Sequence, residues 1–129
     1  MLHIADATAL AIKRAGFDRV GLLATRFTME QDFYRDRMAA HGIVAFAPPQ
    51  EQRDLVHRVI YDELCVGRIE ASSRDAYRKV MSDLVEAGAQ AIILGCTEIG
   101  LLVDLSDSTV PLFDSTALHA AAAVDFALS

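Results

Sequence analysis

Only two cysteines, Cys65 and Cys96, occur among 129 residues, and they stand in unrelated contexts. Neither belongs to a CxxC pair or to a His/Cys cluster with metal-ligand spacing, so a disulfide framework and a structural zinc are poor explanations for this chain. Apolar runs of the roughly 18 residues that span a bilayer are missing as well. The opening Met1-Leu2-His3-Ile4-Ala5-Asp6 lacks the basic segment and apolar stretch of a leader. A cytoplasmic protein with no membrane partner is the expectation. Positive charge is in deficit too: 12 Lys and Arg face 18 Asp and Glu, for a formal net charge of −6. That balance offers no overall attraction to phosphate backbones, so nucleic acid is not an expected partner.

What is present suits one folded domain. Hydrophobic residues make up 53% of the chain and charged residues 23%, far from the composition of a disordered segment. Helical and nearly all-apolar segments alternate, the pattern of a parallel sheet covered on both faces. Ala7 to Ala15 reads as a helix stopped by Gly16, followed by a buried strand over Arg19 to Ala24. The next helix is expected from Met29 to about Ala40, with Thr28 as its cap and Gln31 completing a capping box. Ile43 to Ala47 is a short strand, and Pro48-Pro49 precedes a helix from about Glu51 to Cys65 or Val66, ended by Gly67. Ser72 or Ser73 caps a helix that reaches Glu86, and Ala89 to Leu94 is the most apolar strand. Val110 to Phe113 is a last strand whose proline suggests an edge or strand-end position, before an alanine-rich helix from Thr116 to Leu128. No repeat, low-complexity run or linker interrupts this order. The fold class is therefore α/β, a three-layer sandwich around a mainly parallel four-stranded sheet, in a single domain over 1–129.

Ligands of open parallel sheets sit at the carboxyl ends of the strands. Three sets of small polar residues fall there: Thr25 to Thr28, Cys96 to Glu98, and Asp114 to Thr116. Cys96 follows a strand and precedes a short helix expected to begin near Thr97, whose free N–H groups would favour a thiolate. It is a candidate nucleophile or base, although a lone cysteine reads first as a small core hydrophobe. Thr28 explains itself as a helix cap and could also serve a ligand, with Thr25 adding a second hydroxyl for the same anion. Asp114-Ser115 caps the final helix. His119, one turn further, is a secondary candidate for proton transfer against a packing or surface role. Cys65 is expected in the core beside Ile60 and Leu64. Tyr61, on the same helix, either packs or reaches a ligand with its phenol. Arg26 and Arg58 could meet an acidic substrate, but exposed arginines are common.

At Gly95-Cys96-Thr97-Glu98, together with Gly21 to Met29 and the ending Val110 to Thr116, the chain resembles the aspartate/glutamate racemase family. Leu2 to Thr8 and Ile60-Tyr61-Asp62-Glu63-Leu64-Cys65 extend that resemblance, which covers essentially all 129 residues. The resemblance implies a racemase that needs no pyridoxal phosphate or other cofactor, built from two similar α/β domains with an amino acid held between them. Inverting a weakly acidic α-carbon calls for a base on one face and an acid on the other, and a thiolate and a thiol can exchange those roles. By motif position Cys96 would be one acid/base residue, with Thr25, Thr28, Thr97 and Glu98 on the substrate side. Set against the family pattern, the chain looks like the C-terminal half, without the half that carries the opposing group. Truncation suggests self-association through the face that half would cover. Two other readings follow: a small-molecule-binding module or inactive portion of a longer enzyme, and a hydantoin racemase-like or related α-carbon reaction.

Overall fold

The computed structural model describes residues 4–30, 32–96, 98–115, 117–118 and 120. Helix α1 (Ile4–Arg14) leads through Gly16, in the left-handed region at φ +87°, to strand β1 (Arg19–Leu23). Then come α2 (Arg26–Glu30), α3 (Asp32–Ala40), β2 (Val44–Phe46), α4 (Gln50–Asp62), α5 (Ala71–Glu86), β3 (Ala91–Leu94), α6 (Ile99–Leu102) and β4 (Leu112–Asp114). The four strands form one parallel sheet in the order β2-β1-β3-β4, the expected α/β class. Helix α1 packs against α3, and α4 against α5, so the two pairs cover opposite faces of the sheet as right-handed crossovers require. Both faces being covered is why β1 after Arg19 and all of β3 are buried.

The chain leaves β1 in one direction to form β2, then returns past β1 to form β3. This reversal opens a crevice beyond the carboxyl ends of β1 and β3, where such sheets bind ligands. Gly95 keeps those two ends close: a Cβ there would lie 3.0 Å from Ala24 Cβ. The register pairs Leu23 with Leu94, so Thr25 and Cys96 leave neighbouring strands at the same level. Pro111 precedes β4, an edge strand, as its proline suggested.

Several local expectations need correction. The second helix begins at Arg26 rather than Met29, and Thr25, not Thr28, is its cap: the Thr28 N–H donates to Thr25 Oγ1 at 3.4 Å. The strand ends so near the helix that the first hydroxyl after it is already in the capping position. Gln31, half of the expected capping box, lies outside the described residues. Neither Ser72 nor Ser73 caps α5, whose N-cap is Glu70 without a side-chain bond; Ser73 is buried and donates to Glu63 Oε1 at 2.6 Å. Cys65 is exposed, not core. Helix α4 ends at Asp62, and the chain tightens into a 3-10 turn over Leu64–Val66 that buries Leu64 and turns Cys65 outward. Most of the expected final helix lies outside the described residues.

Candidate active site

On one side of the crevice, the Thr25 and Thr28 hydroxyls stand 3.3 Å apart in the first turn of α2. The N-terminal donors of this turn are largely taken. Thr28 N–H is bonded to Thr25 Oγ1, and Arg26 N–H donates to His57 Nδ1 at 2.8 Å. An anion here would therefore meet hydroxyls rather than a row of free amides. Arg26 does not point a free cation into the crevice, because its guanidinium pairs with Asp54 of α4 at 3.0 Å. Arg58 is likewise engaged, with Glu63 at 3.4 Å.

On the other side, Cys96 is half-buried and its Sγ donates to Glu98 Oε2 at 2.8 Å. Burial disfavours the charged thiolate, and the Glu98 carboxylate both accepts the thiol proton and repels the anion that its loss would leave. Together they push the Cys96 thiol up to about 11. The same bond holds the Glu98 carboxyl below its ordinary value. The expected stabilisation of a thiolate by a helix N-terminus is thus reversed. Helix α6 starts only at Ile99 and spans four residues, too short a dipole to offset a carboxylate in contact with the sulfur. Tyr77, fully buried on α5, donates to Val56 O at 2.7 Å; burial and then the Cys96 charge raise its phenol well above the ordinary value. Asp114 Oδ1 accepts Ala117 N–H at 3.0 Å, as a cap of the last helix should, and its Oδ2 lies 3.8 Å from where a Cβ on Gly100 would stand. A second carboxylate thus borders α6.

Thr25, Thr28, Cys96 and Glu98 all follow the carboxyl ends of the neighbouring strands β1 and β3. Thr97 and His119 lie outside the described residues. Tyr61 is 55% exposed and packs against His57, with ring centroids 4.6 Å apart and planes tilted by 40°. His57 went unread in the sequence. Its spacing of three from Asp54 and four from Tyr61 on α4 was the available signal, placing all three on one helix face. Among the described residues no group of three or more His, Cys, Asp or Glu side chains could hold a metal ion, and no helix is long and apolar enough to cross a membrane.

The chain is similar in sequence and fold to several known proteins. A candidate Asp/Glu racemase from Yersinia pestis is 56% identical in sequence and superposes with a TM-score of 0.95 over 99% of this chain. An aspartate racemase homologue from Pyrococcus horikoshii superposes at 0.92 over the whole chain with 31% identity. This chain covers 56% and 57% of those two solved chains, a little over half of each. A glutamate racemase from Herpetosiphon aurantiacus is 29% identical over 102 residues, 76% of this chain and 39% of that protein. The Asp/Glu/hydantoin racemase family model matches residues 1–123. With the family model matching residues 1–123 and the two solved chains superposing over 99% or more of it, this chain belongs to the Asp/Glu/hydantoin racemase family.

Proposed function

We propose that this chain forms one side of a cofactor-independent racemase site for an acidic amino acid, with Cys96 as one of two acid/base residues. The carrying observation is the Cys96 thiol at the strand-order reversal, bonded to Glu98 and level with the Thr25–Thr28 hydroxyl pair. The hydroxyls hold a substrate carboxylate, and Glu98, with Thr97 beside it in sequence, holds the ammonium group. A thiol with its proton in place is the acid of the pair in the resting state. Inversion through the other face starts from a base on an opposing α/β unit, the half by which the related chains exceed this one. Exposed Leu101 and Leu105, 59% and 70% accessible in and just after α6, support a covering unit on this side. A second copy of the chain or a further segment of the same protein supplies it. The test is exchange of the α-proton of D- and L-aspartate and of D- and L-glutamate with deuterated solvent, for wild type and Cys96→Ser. Loss of exchange from at least one enantiomer is expected; undiminished exchange from both refutes the role of Cys96.

A second reading is favoured by the raised thiol itself, because a cysteine so reluctant to ionise suits a ligand-binding half that does not turn over. Calorimetry with aspartate and glutamate separates the two: binding without exchange selects the module. Hydantoins share the family description and belong in the same substrate panel.

A further inference from the structure

Helix α2 is described over Arg26–Glu30, with Gln31 outside the described residues. Helix α4 reaches it through three polar links. Asp54 pairs with the Arg26 guanidinium at 3.0 Å, Arg53 approaches Glu30 at 3.6 Å, and His57 Nδ1 accepts the Arg26 backbone N–H at 2.8 Å. The first two hold flexible side-chain ends. Only the third grips the backbone, at the residue directly after Thr25.

That bond fixes the chemistry of the ring. A peptide N–H can only donate, so Nδ1 carries the lone pair and the neutral imidazole keeps its proton on Nε2. The Tyr61 ring packs against the imidazole, centroids 4.6 Å apart and planes tilted by 40°. The result is an acceptor on a thirteen-residue helix, bonded to the amide of the first residue of α2. Thr25 lies on one side of that amide and Thr28 closes the turn on the other, with its own N–H on Thr25 Oγ1.

We propose that His57 is a positioning residue for the Thr25–Thr28 hydroxyl pair, holding the first turn of α2 through the Arg26 amide so that both hydroxyls face one substrate carboxylate. This rests on the reading of that pair as the carboxylate site. His57 itself touches no reacting atom.

Two variants separate the acceptor from the rest of the ring. In His57→Asn the side-chain carbonyl falls near the place of Nδ1 and can still accept from Arg26. In His57→Gln the amide falls near the place of Nε2 and leaves Arg26 unpaired. The first measurement needs no ligand: nitrogen NMR of the imidazole, with amide hydrogen exchange at Arg26 and Thr28. A lone pair on Nδ1, protection kept in His57→Asn and protection lost in His57→Gln are expected. A proton on Nδ1, or equal protection in the two variants, overturns the proposal. The second measurement is calorimetric binding of L-aspartate and L-glutamate. His57→Asn should stay within about twofold of wild type, while His57→Gln weakens binding about three- to tenfold, the effect of one hydrogen bond on a preorganised turn. Equal affinities for the two variants also overturn it. Should the wild type bind neither amino acid, the carboxylate reading fails, while the exchange comparison still decides whether His57 holds the turn.

Discussion

Replacing Glu98 by Gln should make Cys96 more acidic, and the structure gives the size of the effect. The Sγ–Oε2 distance of 2.8 Å marks a bond to a charged acceptor, and such bonds contribute about 1.5–3 kcal/mol. Sulfur is a weak donor and the thiol is only half-buried, so the low end applies, about 1.5 kcal/mol, or roughly tenfold in the acid dissociation constant. Burial, the larger of the two causes, is untouched by the change, so Cys96 should remain less acidic than an ordinary thiol. At about pH 8 a thiol whose pKa is about 11 is ionised to about one part in a thousand, and the variant raises that to about one in a hundred. A more acidic thiolate is also a poorer nucleophile, which gives back about threefold, so alkylation at that pH should quicken roughly threefold. The assay is the pH dependence of iodoacetamide alkylation in a Cys65→Ser background, because exposed Cys65 would react first. The midpoint should move to lower pH. A midpoint unchanged or higher in Glu98→Gln refutes the argument that Glu98 keeps Cys96 protonated.

Gly95→Ala introduces a Cβ 3.0 Å from Ala24 Cβ, between two strand ends that cannot yield cheaply, and should cost about 1–3 kcal/mol in urea unfolding. An unchanged midpoint would show that the ends of β1 and β3 are not tightly apposed. Asp6 accepts from Nε and Nη2 of Arg37, at 3.0 and 2.8 Å, and contacts His41 Nε2 at 2.9 Å, contacts that hold its carboxyl well below the usual range. Because the folded pKa is depressed, this stabilisation is present at neutral pH and lost as the pH falls below about 4. Asp6→Asn should therefore lower stability at pH 7 by about 1 kcal/mol and flatten the acid limb of a thermal-melt series; an acid limb as steep as wild type counts against it. Sedimentation velocity should find a dimer at working concentration, and a monomer would refute self-association through this face.

The apolar periodicity and the glycine and proline stops were enough to place all four strands and the major helices, because burial on both faces writes itself into composition. Element ends were less legible. Whether Thr25 or Thr28 caps α2 depends on how closely the helix follows the strand, and both hydroxyls are suitable caps in sequence. Cys65 lay on an apolar helical stripe in sequence, yet a break after Asp62 rotated it to the surface; no residue type announces a switch from α to 3-10 geometry. Thr97 and His119, outside the described residues, stand as readings of sequence alone.

By itself, then, the sequence determined the class of fold, the order of its elements and the Gly95-Cys96-Thr97-Glu98 signature, all properties of short windows of chain. Tertiary structure alone decided the ionisation state of Cys96, which depends on how deeply the crevice buries the sulfur and on which oxygen of Glu98 meets it. It alone decided that His57 grips the start of α2 from 31 residues away. Both are contacts fixed by packing, and energies that depend on distance and burial cannot be read until the chain has folded.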